Sequence, residues 1–175
     1  MVNKITALTL EELNIIDLSG FKGQTWLHME AGYEHYRLLA YISTLFKNKT
    51  LLDIGTYKGD SSTALTYSDK NKVISFDLKD HLEYVNPNVK YNIGNILDFP
   101  DIVKSSSFIL LDTFHEGEFE MEFINFLNKI NYKGLVMFDD INLNEPMRKV
   151  WNSINKEKYD LTNIGHQTGT GLAVW

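Results

Sequence analysis

The chain has no cysteine, which excludes disulfides, thiolate metal sites and cysteine nucleophiles. It has only three prolines and no run rich in Pro, Gly or Ser, so no linker between two domains is expected. Seventeen Lys and Arg stand against 23 Asp and Glu, a net charge of -6. The basic residues are scattered, whereas phosphate contacts need them clustered, so a nucleic-acid partner is not expected. No stretch of 18 apolar residues exists, and Met-Val-Asn-Lys-Ile-Thr lacks the blocks of a signal peptide. These absences predict one cytosolic domain over residues 1–175 with no membrane partner. A chain of this length buries roughly two thirds of its unfolded surface. Substrate recognition then falls to the N-terminal segment 1–30, to short loops, or to a second copy in a homodimer.

What is present is concentrated in Leu51 to Ser62, followed by Val73-Ile-Ser-Phe-Asp77. An apolar strand, a glycine-bearing turn, a helix and a second apolar strand ending in a carboxylate form a nucleoside-binding βαβ unit. Asp77 lies 24 residues beyond Asp53, close to the spacing for a ribose-binding acid on the second strand. The bland alternative for Asp77 is a helix cap. A dinucleotide fingerprint needs a second glycine two positions after Gly55, where this chain has Tyr57. Gly55 and Gly59 keep the tight turn, but the bulky side chain disfavours a pyrophosphate. A nucleoside without phosphates fits better.

The rest alternates helix and strand. Thr9-Leu-Glu-Glu12 has the form of a capping box, and Gly20 to Glu30 reads as loop. Leu38, Leu39, Ile42, Leu45 and Phe46 recur at helical spacing within a helix from Ala31 to Phe46. Strands are expected at about 50–54, 72–76, 89–93, 107–111 and 135–138, with helices at about 61–67, 116–129 and 145–154. The continuous apolar runs Phe-Ile-Leu-Leu and Leu-Val-Met-Phe suit parallel strands covered on both faces. Tyr159 to Ile164 and Gly171 to Trp175 read as a closing antiparallel hairpin.

Over roughly residues 35 to 175, Asp53-Ile-Gly55-Thr-Tyr-Lys-Gly59 resembles the first motif of the class I S-adenosylmethionine-dependent methyltransferases. The hairpin matches that fold, whose seventh strand inserts antiparallel. The resemblance implies a doubly wound α/β fold with a mainly parallel seven-stranded sheet and S-adenosylmethionine as cofactor. The cofactor residues it implies are Asp53, Gly55, Thr56, Tyr57, Gly59, Asp60, Ser61 and Ser62, then Asp77, Leu78, Asn95, Ile96 and Asp112. Asn95 or Asp98 would accept from the adenine amino group.

In such a sheet, Asp53, Asp77, Asp112, Asp139 and Asp140 all reach one strand edge, where like charges need neutralising. Oxygen ligation by carboxylates and water suits Mg²⁺ or Ca²⁺. Leu110-Leu-Asp112-Thr-Phe-His115-Glu-Gly117 and Gly134-Leu-Val-Met-Phe-Asp139-Asp140 look like two signatures of small-molecule O-methyltransferases of the macrolide and aminocoumarin sugar type. That resemblance implies Asp112, Asp139 and Asp140 as ligands of a divalent metal and a small hydroxylated molecule as methyl acceptor. The general-base position of that group is Phe114 here, which leaves His115 as the candidate beside it and Asp112 as the other catalytic residue. Asp139 and Asp140 could instead cap a turn, and His115 could simply start a helix. Trp26, His28, Glu30 and Tyr33 could form a lid or an ordinary aromatic cluster. A cofactor-binding protein without transferase activity and another enzyme on the same fold remain alternative readings.

Overall fold

Successive strand residues point to opposite faces. Phe108 and Leu110 join a buried cluster with Leu38, Leu39, Ile42 and Leu65, while Ile109 and Leu111 join another with Phe123, Leu127 and Val150. Helices therefore cover both faces of the sheet. Burial of each such side chain contributes roughly 1.5–3 kcal/mol. The computed structural model describes residues 1–21 and 26–175. The part of the expected loop at 22–25 lies outside the described residues.

The strands are β1 (Thr50–Ile54), β2 (Lys72–Asp77), β3 (Val89–Ile93), β4 (Ser106–Leu111), β5 (Leu135–Asp139), β6 (Glu157–Asp160) and β7 (Thr170–Val174). They form one seven-stranded sheet in the order β3-β2-β1-β4-β5-β7-β6. The first five are parallel, and β7 runs antiparallel to β5 and β6. This is the Rossmann-like methyltransferase fold expected from the sequence. The order reverses at β1, whose neighbours are β2 and β4, and a crevice opens there beyond the carboxyl ends.

The helices are α1 (Val2–Thr6), α2 (Leu10–Asn14), α3 (Tyr36–Thr44), α4 (Asp60–Leu65), α5 (Pro100–Ser105), α6 (Glu118–Lys129) and α7 (Glu145–Ser153). The capping box at Thr9 and Glu12 is present. The helix expected from Ala31 begins only at Tyr36, because Gly32 has φ +88° and Ala31 bridges to Glu34. The expected loop up to Glu30 includes a 3-10 turn over Trp26–His28. The closing hairpin pairs 157–160 with 170–174, leaving 161–169 as its connection, so the expected strand at 159–164 is shorter and shifted. Among the described residues, no helix is long and apolar enough to cross a membrane.

Candidate active site

The turn after β1 is built on Gly55, whose φ is +98°. A Cβ there would lie 1.4 Å from the Asp112 carbonyl oxygen, so only glycine lets this turn close against the end of β4. The Asp112 amide donates to the Ile54 carbonyl at 2.9 Å, locking the two strand ends together. Tyr57 follows with φ +42°, and its amide donates to Asp77 Oδ2 at 2.8 Å. The Lys79 amide donates to Asp77 Oδ1 at 3.1 Å. Asp77 thus organises both its own turn and the one after β1.

A cleft of about 480 Å³ lies across these strand ends. Of the residues expected at the cofactor, Gly55, Thr56, Tyr57, Asp60, Ser61, Asp77, Leu78, Asn95, Ile96 and Asp112 line it. Asp53, Gly59 and Ser62 are not on its wall. Gly59 caps α4 with φ +91°, and the Ser62 hydroxyl donates back to its carbonyl. Asp98 is exposed and also off the wall. Asn95 accepts from the Leu97 amide through Oδ1, which fixes the turn after β3.

Asp53 sits fully buried behind the turn, accepting from the Ser75 hydroxyl, which in turn meets Thr56 Oγ1. Burial pushes its carboxyl up to about 7, against the hydrogen bonds from Ser75 and Ser61. An unfolded Asp titrates near 3.9, so the folded state keeps a proton that the unfolded state loses. The stability this group contributes is present below about pH 4 and is lost as pH rises through 7. Asp53→Asn carries no such proton. Between pH 5 and pH 8 it should gain stability relative to wild type by on the order of 2 kcal/mol. Denaturant melts at both values check this, and parallel pH profiles would contradict it.

Asp60 also lines the cleft, and its Oδ1 accepts from the Leu27 amide at 3.2 Å. Burial raises its carboxyl to about 6. This contact fastens the Trp26–His28 turn over the cleft, and Trp26 contributes to the wall. Of the proposed lid group, only Trp26 lines the cleft; His28, Glu30 and Tyr33 do not.

The other half of the cleft gathers acids and histidines. Asp112, Asp139, Asp140 and His115 meet here, as expected from sequence. Two histidines singled out by no motif join them: His35, which precedes α3, and His166, in the β6–β7 connection. His115 Nε2 is 3.4 Å from Asp112 Oδ1 and its Nδ1 is 3.5 Å from Asp140 Oδ2. His166 Nδ1 is 3.0 Å from Asp140 Oδ1 and 3.4 Å from Asp139 Oδ1. His35 Nδ1 is 3.3 Å from both Asp139 Oδ1 and Glu34 Oε1. The side chains gathered here are therefore imidazoles as well as carboxylates. The β-hairpin register brought His166 in, since Thr170 pairs with Asp139 and the amides of Ile141 and Asn142 donate to the 168–169 carbonyls.

The charges balance one another. Burial draws the His35 imidazole toward neutrality, yet Asp139 outweighs it and raises His35 to about 9. Burial likewise lowers and Asp139 with Asp140 raises His166, to about 11. Burial would lift Asp139, but His35 and His166 hold it well below the usual carboxylate range. Asp112 is pushed up, by burial first and Asp139 second. His115 is raised, its burial overcome by Asp112.

Glu120 holds His115 in position. Its carboxylate accepts from Thr113 Oγ1 at 2.6 Å, from the His115 amide at 3.1 Å and from the Gly117 amide at 2.9 Å. Asn144 donates to the His115 carbonyl from the other side. His115 has φ +59°, so this strained turn is fixed from two helices. Glu120 at the third position of α6 accepts from the Gly117 amide, the one half of a capping box that a glycine cap can make. Phe114 is 74% exposed at the mouth, where it cannot replace an acid.

The fold is the Rossmann-like methyltransferase fold, with a crevice at its topological switch point. No family model matches the sequence, and no curated protein matches it. Solved structures share the fold at low identity. The O-methyltransferase TomG of Streptomyces achromogenes, in complex with S-adenosylmethionine, superimposes with a TM-score of 0.59 at 15% identity, over 79% of this chain and 78% of that one. A Podospora anserina methyltransferase bound to S-adenosylhomocysteine gives 0.62 at 14% identity, over 95% and 85%. A Bacillus cereus O-methyltransferase with S-adenosylhomocysteine gives 0.57 at 13% identity, over 99% and 95%.

Proposed function

We propose that the chain transfers the methyl group of S-adenosylmethionine to a hydroxyl oxygen of a small molecule. The observation that carries this reading is that one cleft joins both parts: Asp77, Asn95 and Ile96 line one half of it, and Asp112 and His115 the other. In this reading Asp77 accepts hydrogen bonds from the ribose hydroxyls. Asn95, Ile96 and Leu78 flank the adenine, and the Gly55 turn receives the sulfonium end. Segment 1–30 acts as a cap through Trp26 and narrows access for water.

The acceptor oxygen attacks the methyl carbon in line with the carbon–sulfur bond. That bond's electron pair stays on sulfur, giving S-adenosylhomocysteine, and the hydroxyl proton passes to the His115 imidazole. The sulfonium is already reactive, so positioning supplies most of the acceleration. Buried imidazole and carboxylate atoms without hydrogen-bond partners, such as Asp139 Oδ1, fit a cation. Asp112, Asp139 and Asp140 would hold a divalent ion, which would supply Lewis-acid polarisation of the acceptor oxygen.

A labelled-methyl screen over sugars, catechols and nucleosides should find an acceptor. With that acceptor, His115→Ala should lower kcat by about 10²-fold while affinity for S-adenosylhomocysteine stays unchanged. An unchanged rate would end the base assignment. The rival reading, cofactor binding without transfer, rests on Phe114 at the position where the resembling enzymes carry their base. Silence across the whole screen despite cofactor binding would favour it.

A further inference from the structure

We infer that the acid edge is a mixed imidazole–carboxylate centre for a zinc-like cation, with His35, His166 and Asp139 as ligands and Asp112 beside them. The inference rests on the reading of this cleft as a metal-assisted transfer site; it names the ion class, which that reading leaves open, and puts His35 and His166 in place of Asp112 and Asp140 as ligands. It starts from unmet bonding capacity. His35 is 2% exposed, and neither ring nitrogen has a hydrogen-bond partner among the described residues. Asp139 Oδ1, also buried, makes no hydrogen bond of good geometry and has only long contacts to two imidazoles. Burying such groups without partners is costly unless something coordinates them.

The separations point the same way. Asp139 Oδ1 lies between two imidazoles, 3.3 Å from His35 Nδ1 and 3.4 Å from His166 Nδ1, while His166 Nδ1 also stands 3.0 Å from Asp140 Oδ1 and from Thr168 Oγ1. Hydrogen bonds charged at both ends close to about 2.7–2.9 Å. Donors each about 2.0–2.1 Å from a tetrahedral ion stand about 3.3 Å apart. An octahedral Mg²⁺ at the same bond length would draw neighbouring donors to about 2.9 Å. Donor atoms of His35, Asp112 and Asp139 fall within 4.8 Å of one another, as do those of Glu34, His35 and His166 and those of His115, Asp139 and Asp140, so Asp139 and His35 each belong to two such groups. Imidazole is a poor ligand for Mg²⁺ or Ca²⁺ and a good one for Zn²⁺, Cu²⁺ or Ni²⁺.

The test is metal content and binding in the full chain, stripped with chelator and then offered Zn²⁺, Co²⁺, Mn²⁺, Mg²⁺ or Ca²⁺ one at a time. One Zn²⁺ per chain should survive gel filtration, with affinity at least ~100-fold above that for Mg²⁺. Co²⁺ should give visible ligand-field absorption. His166→Gln should weaken Zn²⁺ binding at least ~10-fold, as should His35→Gln if it folds by circular dichroism. Failure of Zn²⁺ to bind, binding no tighter than Mg²⁺, or unaltered binding in His166→Gln would each overturn the centre. S-adenosylhomocysteine binding is measured on the same samples: its persistence alongside metal failure would sink this inference alone, and its loss would sink the transferase reading.

Discussion

Gly55→Ala is expected to destabilise the protein by about 4 kcal/mol or more, which lowers the melting midpoint by about 8–16 °C for a chain of this size. The added Cβ would fall 1.4 Å from the Asp112 carbonyl oxygen and 2.6 Å from its carbon, both backbone atoms. It cannot be accommodated by turning a side chain. Either the turn after β1 or the end of β4 must move, and the Asp112 amide bond to Ile54 joins the two. The left-handed backbone adds roughly 1–2 kcal/mol for any residue with a Cβ. Cofactor affinity should fall together with stability, because the same movement displaces the turn and Asp112. Gly20→Ala is the control: a Cβ there meets nothing within 4 Å, so its midpoint should stay near wild type. A thermal melt of Gly55→Ala that overlays the wild type would show that the two strand ends are not locked as described.

Asp77→Ala is expected to weaken S-adenosylhomocysteine binding at least ~10²-fold. A carboxylate has about four lone-pair positions. The amides of Tyr57 and Lys79 use two of them, one on each oxygen. Two remain for the ribose hydroxyls, at roughly 1.5–3 kcal/mol for each bond to a charged acceptor. The variant also loses its hold on the Tyr57 turn, so part of the loss is organisation of the pocket. Asp77→Asn separates the parts: its oxygen can keep one amide contact, and its affinity should fall between those of the alanine variant and wild type. Calorimetric titration measures both. An affinity for Asp77→Ala within twofold of wild type would remove Asp77 from the ribose.

The sheet was legible in the sequence because a parallel sheet covered on both faces writes itself as short apolar runs. Their ends also marked the acids, since Asp77, Asp112 and Asp139 each close or follow such a run. Shorter elements were not legible. Helices α1 and α5 are too short for a helical period to register, although Pro100 at the first position of α5 is a start signal. Helix α3 was read too early because its apolar residues continue the pattern upstream, while the positive φ of Gly32 interrupts it.

In the cleft, local motifs marked most of the residues that line one half, and they did not mark the histidines His35 and His166 of the other. His35 and His166 reach Asp139 from opposite ends of the chain: the pairing of β5 with β7 brings His166, and His35 arrives with the start of α3. A lone histidine ahead of an apolar helix, or between glycines in a hairpin connection, carries no local sign of its partner. Asp53 is placed differently from its neighbours in the motif. Its motif pointed to the cofactor, yet the side chain faces Ser75 behind the turn and acts on the cleft through the Ser75–Thr56 contact.

The most direct measurement is titration calorimetry of the wild-type chain with S-adenosylhomocysteine and with S-adenosylmethionine. The account predicts saturable binding of both, one molecule per chain, with a negative heat-capacity change from burial of apolar surface in the cleft. Heats indistinguishable from dilution for both compounds, in a protein that melts cooperatively, would contradict it.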